Sequence, residues 1–140
     1  MWKSISPILT GMFLLLAAYA PAACQVKADD AMVLAFERSY GGDGADVDKF
    51  TVAKDGRWKF TPQSGEGKTG KLSVADLNQW VKDIENGGLH KVKSNPNLGG
   101  TDESFLDITL QINNKKTRVR ISMREKLAQS IDKKIVELVK

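Results

Sequence analysis

The chain has 140 residues, a formal net charge of +4 and a single cysteine. Removal of an N-terminal signal containing Lys3 and Lys27 would lower that charge further, so the balance is too mild to predict nucleic acid as the main partner. One cysteine excludes a disulfide within the chain, and the fold must therefore be stabilised by its core. The length left after such processing is that of one small domain.

The N-terminal residues have the pattern of an export signal. Lys3 provides a positive charge, residues 8–19 (ILTGMFLLLAAY) are apolar, and small residues follow up to Cys24. The apolar run is shorter than the roughly 20 residues that span a bilayer, which favours a secretory signal over a permanent anchor. We therefore expect residues 1–28 to be a signal and residues 29–140 to form one periplasmic or extracellular domain.

Two ways of processing this signal remain open. Cys24 follows Ala22 and Ala23 and resembles the lipobox of bacterial lipoproteins, although Pro21 stands where that pattern usually has leucine. Ordinary cleavage after Ala22 or Ala28 is the alternative. Lipidation of Cys24 would be the means by which this domain attaches to a membrane.

Residues 32–60 predict three strands and fix one register. Apolar residues alternate with polar or smaller ones from Met32, and a second strand over residues 47–53 leads into a hairpin. A three-residue loop with Gly56 in the left-handed region puts all the large side chains on one face, whereas a two-residue loop would put the aromatics on the other. We therefore predict the three-residue loop, which pairs Val52 with Trp58 and Phe50 with Phe60.

Residues 63–71 (QSGEGKTGK) predict a flexible connection, because they are polar and rich in glycine. Gly67, Lys68 and Thr69 resemble the end of a phosphate-binding P-loop. Pro62 occupies the position of the required upstream glycine, so no nucleotide site is predicted.

The first predicted helix has a defined start and end. Ser73 is its expected N-cap, residues 86–88 (NGG) end it, and Leu89 is expected to fold back on the last turn. Its apolar stripe is expected to contain Val74, Leu77, Trp80, Val81 and Ile84.

A second hairpin and a closing helix follow. Alternation over residues 106–112 predicts a strand, and a turn near Asn114 and Lys115 is expected to pair Ile112 with Thr117. The next pairs would be Leu110 with Val119 and Ile108 with Ile121. The closing helix is expected to begin near Ser122 to Glu125, whose spacing fits a capping box, with an apolar stripe of Leu127, Ile131, Ile135 and Leu138.

This order, βββαββα, predicts an α+β fold. We expect an antiparallel sheet of about five strands with both helices packed on one face. The other face would be open and basic, with Lys49, Arg57, Lys59, Arg118 and Arg120 among threonines. It lacks the aromatic rings on which single-stranded nucleic acids stack. An acidic protein, an anionic glycan or a phospholipid headgroup would suit it, and a solvated face that carries charge for solubility is the ordinary explanation.

The loop over residues 40–48 is the second candidate site. Its members that could contact a partner are Tyr40, Gly41, Gly42, Asp43 and Asp46. Together with Asp48, its aspartates could bind Ca²⁺, but their spacing is not that of an EF-hand loop, so no metal site is predicted. The remaining interpretations are a solvated turn and a contact tip carried on a rigid sheet.

The sequence does not predict an enzyme or a cofactor. His90 is the only histidine and follows a helix end, no cysteine is near it, and the serines are too common to form a pattern.

Residues 36–42 (FERSYGG) resemble the opening of emfourin-like proteins, which are small bacterial domains that include inhibitors of thermolysin-type metalloproteases. Those proteins also begin with a strand that runs into a Ser-Gly-Gly loop, although Tyr40 interrupts that motif here. The resemblance implies a non-catalytic domain that presents loops to a partner such as a protease. It carries over to Ser39, Gly41 and Gly42, as structural loop residues.

The function expected from these observations is an exported, non-catalytic and monomeric binding domain of the bacterial cell envelope. Its partner would be another protein or an envelope component, and not nucleic acid. One alternative is a protease inhibitor that acts through the loop at residues 40–48. The other is a module that binds an anionic glycan or lipid through the basic sheet face.

Overall fold

The computed structural model describes residues 32–41, 47–100 and 102–140. The predicted signal and Cys24 lie outside the described residues, as do Gly42, Asp43 and Asp46. The strands are β1 (Met32–Ser39), β2 (Val47–Ala53), β3 (Arg57–Thr61), β4 (Lys68–Lys71), β5 (Phe105–Ile112) and β6 (Lys115–Ser122). The helices are α1 (Val74–Asn86) and α2 (Lys126–Val139), and a 3₁₀ turn covers Pro96–Gly100.

The α+β prediction is confirmed. Every strand pair is antiparallel, and the order across the sheet is β4-β3-β2-β1-β5-β6. Among the described residues, no helix is long and apolar enough to span a membrane.

The described sheet has six strands rather than about five, because part of the predicted flexible connection forms β4. Its residue Gly70 pairs with Trp58 of β3, and a Cβ atom at Gly70 would overlap the indole ring. The positions of β4 on the indole side are Lys68 and Gly70. No apolar alternation therefore reveals this edge strand in the sequence.

The first hairpin has the predicted register. Val52 pairs with Trp58 and Phe50 with Phe60, and Gly56 has a φ of +86°. The backbone N–H of Gly56 donates to the carbonyl of Ala53 at 3.0 Å and closes the three-residue loop.

The predicted register of the second hairpin is wrong by two residues. Asn113 and Asn114 form a two-residue turn with φ values of 48° and 65°, so Ile112 pairs with Lys115 and Leu110 with Thr117. Two adjacent left-handed residues are the signature of a type I′ turn, whose twist matches that of the flanking strands. Because side chains alternate with a period of two, the shift leaves each one on its predicted face.

Helix α1 begins and ends as predicted. The hydroxyl oxygen of Ser73 accepts a hydrogen bond from the backbone N–H of Asp76 at 3.0 Å. At the other end, Gly88 has a φ of +99° and the buried Leu89 folds back to bond the carbonyl of Ile84. The prediction fails for Val74, which is 53% exposed because it lies on the first turn, away from the sheet.

The predicted capping box of α2 is wrong. Ser122 is the last residue of β6, and its hydroxyl accepts from the backbone N–H of Arg124 in a local turn. Glu125 is the N-cap and makes no side-chain capping bond, so the helix begins at Lys126. It is held instead by its buried stripe, which includes Leu127, Ile131 and Ile135.

Both helices contribute to a single core against one face of the sheet. Trp80 of α1 lies at its centre, with ring centroids 5.4 Å from Phe36 and 6.0 Å from Phe50. Phe50 in turn stacks on Trp58 at 5.5 Å. At 5% exposure Trp80 is a core residue. The sheet surface opposite the helices is here called the outer face.

Candidate functional site

A network of charged and hydroxyl side chains joins the ends of β1 and β2 to helix α2. It contains Arg38, Tyr40, Asp48 and Asp132, here called the Arg38 cluster. Arg38 and Asp48 are cross-strand partners on the helix-covered face, and the Arg38 guanidinium donates to the Asp48 carboxylate at 2.6 Å. The same guanidinium donates to Asp132 of α2. One arginine therefore ties both strand ends to the helix.

Asp48 is the acceptor at the centre of this cluster. Besides Arg38, it accepts from the hydroxyl of Tyr40 and, at 2.8 Å, from the backbone N–H of Gln63. Burial by itself raises the pKa of Asp48, but the bonds from Tyr40, Gln63 and Arg38 outweigh burial and hold that pKa below its ordinary range. The carboxylate is therefore ionised at neutral pH and is engaged within the fold.

Tyr40 is the solvent-exposed member of the Arg38 cluster. Its ring is 50% exposed, and the guanidinium carbon of Arg38 lies 4.8 Å from the ring centroid. Partial burial, followed by the hydrogen bond to Asp48, raises the pKa of the Tyr40 hydroxyl. A half-exposed aromatic ring held in one position at the start of a loop is the type of side chain that anchors protein interfaces.

The space beneath the cluster is too small for a substrate. A cavity of about 60 Å³ lies between Arg38 and apolar side chains that include Phe36, Phe60 and Ile135. Pockets that bind small molecules usually occupy about 300–1,000 Å³. The cluster therefore encloses little space, and its bonds join the ends of β1 and β2 to α2.

The described start of the loop at residues 40–48 is held by close backbone contacts. Ser39 is 3% exposed, and its hydroxyl oxygen accepts from the backbone N–H of Gly41 at 3.4 Å. Gly41 has a φ of +89°, and a Cβ atom there would overlap the carbonyl of Asp102. Only glycine fits this position without strain.

The three aspartates that could bind Ca²⁺ by their sequence are not brought together among the described residues. Asp48 faces the helices and bonds Arg38, while Asp43 and Asp46 lie outside the described residues. Within residues 32–41, 47–100 and 102–140, no group of three or more histidine, cysteine or acidic side chains could hold a metal ion.

The predicted basic residues do lie on the outer face, but the prediction of a uniformly open basic surface is wrong around Arg120. Arg120 makes two bonds of 2.7 Å to Asp107, whose residue is only 5% exposed. Its guanidinium carbon also lies 4.2 Å from the centroid of the Phe105 ring, so the prediction of an outer face without aromatic rings is wrong at this covered end. Burial raises the pKa of Asp107, but Arg120 and then Arg118 overcome this and hold that pKa low. Arg120 is therefore a structural residue.

The segment of residues 94–100 completes the cover over Arg120. The Ser94 hydroxyl accepts a hydrogen bond from the backbone N–H of Arg120 at 2.9 Å. The backbone N–H of Asn95 donates to the carbonyl of Arg120, also at 2.9 Å. The carbonyl of Pro96 accepts from its guanidinium at 3.4 Å. This segment closes the edge of β6 and removes one end of the outer face from solvent.

The other basic residues of the outer face are more exposed. Lys49 faces Glu37 at 3.8 Å, and Arg57 bonds Asp55 at 2.6 Å with its side chain 75% exposed. Within the described chain, Lys59 forms no ion pair. A depression of about 460 Å³ lies beside Arg57 and Lys59.

His90 lies at the end of α1, away from these groups. Its ring is half-exposed, and its Nε2 atom is 3.6 Å from the carboxylate of Glu85. In the part of the chain that the structure describes, no serine or cysteine bonds this ring. Among the described residues, the ring therefore has no bonded serine or cysteine to activate.

The sequence analysis missed the Arg38 cluster and the acidic members of the outer face. Arg38 follows Leu34 and Phe36 at a spacing of two, and Asp48 precedes Phe50 in the same way, so strand alternation alone would have placed both on the helix-covered face. Glu37 and Asp107 could be placed on the outer face by the same count. The pairing of Arg38 with Asp132 has no local signal, because 94 positions separate them.

Comparison with known proteins adds no relative. No protein-family model matches this chain, and no curated protein matches it in sequence.

Proposed function

We propose that the chain is an exported, non-catalytic binding domain of the bacterial cell envelope that presents the loop at residues 40–48 to a protein partner. The observation that carries this proposal is the Arg38 cluster. It braces both ends of the loop through Arg38 and Asp48 and leaves the Tyr40 ring half-exposed. Loops on rigid scaffolds commonly carry binding sites, and a Tyr40 side chain that is already held in place loses less conformational entropy when a partner binds.

Co-purification of the tagged protein from its native envelope tests this function. A bound protein should be lost in Tyr40→Ala and kept in Tyr40→Phe, which retains the ring. Val74→Ala is the matched control, because Val74 is 53% exposed on α1 and is remote in sequence from the loop. Capture of the same partner by Tyr40→Ala at the wild-type level would refute the loop as the contact.

Inhibition of a protease is the narrower form of this proposal and is favoured by the resemblance to emfourin-like proteins. The fixed positions of Tyr40 and Asp48 at the two ends of the loop support it, because protease inhibitors bind with little change in backbone conformation. Assays of the purified protein against thermolysin-type and serine proteases at micromolar concentration test it. We expect the wild type, but not Tyr40→Ala, to slow at least one of these proteases. Failure to slow any of them would exclude inhibition and leave open another protein partner.

The export part of the proposal rests on the apolar segment at residues 8–19. Mass spectrometry of the protein from cell fractions tests it, and the two forms of processing differ in mass. A diacylglyceryl group on an N-terminal Cys24 would establish a lipoprotein, whereas a bare N-terminus after Ala22 or Ala28 would establish simple secretion. An intact N-terminus in the cytoplasmic fraction would contradict export.

A further inference from the structure

The outer face carries one straight row of side chains with a cation at each end. The strand registers pair Lys59 with Thr51, Thr51 and Thr109 with Ala35, and Thr109 with Arg118. Neighbouring strands are about 4.8 Å apart, so this row crosses five strands over roughly 19 Å. We call it the Lys59–Arg118 row.

Both cations of the row are exposed, and no described carboxylate fully neutralises either of them. Lys59 is exposed and, among the described residues, makes no ion pair. Arg118 contacts Asp107 at 3.3 Å, but its side chain is 62% exposed and Asp107 is already bound twice by Arg120. The two ends of the row therefore attract anions.

Between its two cations, the row consists of three short side chains, two of which carry hydroxyl groups. This shallow middle part is called the floor of the row. Thr51, Ala35 and Thr109 are small and partly buried, between the longer side chains of the row ends. At the Lys59 end the floor continues into the depression of about 460 Å³, which Arg57 and Thr69 also line. Cations combined with hydroxyls match a polymer that bears both acidic groups and hydroxyl groups.

Two other classes of anionic partner fit this surface less well. The exposed large apolar residues of the described chain are Tyr40, Val74 and Val136, and none of them is on the outer face, which does not favour insertion of this face into a lipid bilayer. The row also has no aromatic ring on which a base could stack.

We propose that the Lys59–Arg118 row binds an anionic polysaccharide that crosses the strands from β3 to β6. An acidic group of the sugar chain lies in the depression beside Arg57 and Lys59, and a second one meets Arg118. The sugar hydroxyls between them contact Thr51 and Thr109. This surface is separate from the loop at residues 40–48, so the inference goes beyond the proposed function and does not depend on it.

Binding of the purified protein to immobilised polysaccharides tests the inference. The probes are polygalacturonate and dextran sulfate, with neutral dextran as the uncharged control. Binding to at least one acidic probe, which weakens as salt is raised, is expected. Because exposed ion pairs are individually weak, Lys59→Gln combined with Arg118→Gln should weaken it about five- to tenfold.

Two further variants separate this row from general attraction by charge. Lys133→Gln combined with Lys134→Gln removes the same charge from α2 and should change binding by less than about twofold. Thr51→Val combined with Thr109→Val keeps all charges and should weaken binding about threefold through lost hydrogen bonds.

Several results would overturn the inference. They are an equal loss in the α2 control, unchanged binding after removal of Lys59 and Arg118, or no binding to either acidic probe at low salt. Binding to phosphatidylglycerol vesicles without binding to the polysaccharides would also overturn the inference, because it would identify a lipid surface as the ligand of the row.

Discussion

Arg38 and Asp48 are joined at 2.6 Å as cross-strand partners, on the sheet face that the helices cover. The next pair along the same strands, Glu37 and Lys49, lies on the outer face at 3.8 Å. The side chains of the first pair are 24% and 10% exposed, and those of the second are 43% and 55% exposed. Since solvent screens the second pair, the two pairs are expected to differ in their contribution to stability.

Removal of the Asp48 carboxylate should therefore lower the stability of the fold. Asp48→Ala removes the acceptor of the Tyr40 hydroxyl and of the Gln63 N–H, and it leaves Arg38 with Asp132 as its remaining carboxylate partner. We expect it to lower the free energy of unfolding by about 2–3 kcal/mol. Lys49→Ala is the matched control on the outer face, with an expected loss below about 0.5 kcal/mol. Urea denaturation of both variants measures this, and equal losses would contradict the structural role of the cluster.

The depressed pKa of Asp107 predicts a specific dependence of stability on pH. A carboxyl whose pKa is lower in the folded state stabilises the protein above its unfolded pKa of about 3.9, and this contribution is lost as the pH falls through the lower folded value. The protein should therefore lose stability below about pH 4. Asp107→Asn should be less stable at pH 7 and should lose less on acidification. Parallel curves of urea midpoint against pH for the two proteins would refute this.

Gly56 and Gly65 provide a matched test of backbone packing. Both have positive φ values, 86° and 96°, but a Cβ atom at Gly56 would overlap the carbonyl of Leu72, whereas nothing lies within 4 Å of one at Gly65. Gly65→Ala should cost about 1 kcal/mol for the left-handed conformation alone. Gly56→Ala should cost at least about 2 kcal/mol, because the overlap is added. Thermal unfolding of the two variants measures the difference, and a larger loss at Gly65 would contradict the described contact.

The turn between β5 and β6 can be tested in both directions. Asn114→Gly creates the preferred Asn-Gly sequence of a type I′ turn and should stabilise the protein by about 0.5 kcal/mol. Asn114→Pro cannot adopt the observed φ of 65° and should cost about 2 kcal/mol or more. Urea midpoints measure both. Tolerance of proline at this position would instead favour the longer loop that the sequence pattern had predicted.

The candidate sites were predictable in part. Strand alternation placed Lys49, Lys59 and Arg118 on the face opposite the helices, and the structure confirms that position. It did not reveal that Arg120 is covered, because the covering segment of residues 94–100 has no periodic pattern. The loop residue Tyr40 was identified from sequence, but its support by Arg38 was overlooked.

Local sequence patterns predicted the faces of β1, β2, β3, β5 and β6, the register of the first hairpin and the limits of α1. These depend on the period-two alternation, on Gly56 and on the Ser73 cap, all of which act over a few residues. The place of β1 between β2 and β5 and the pairing of Arg38 with Asp132 follow only from long-range packing, because these contacts join positions far apart in the chain and no local pattern records them. β4 pairs with its neighbour β3, but Lys68 and Gly70 on its indole side give no apolar alternation by which the strand could be predicted.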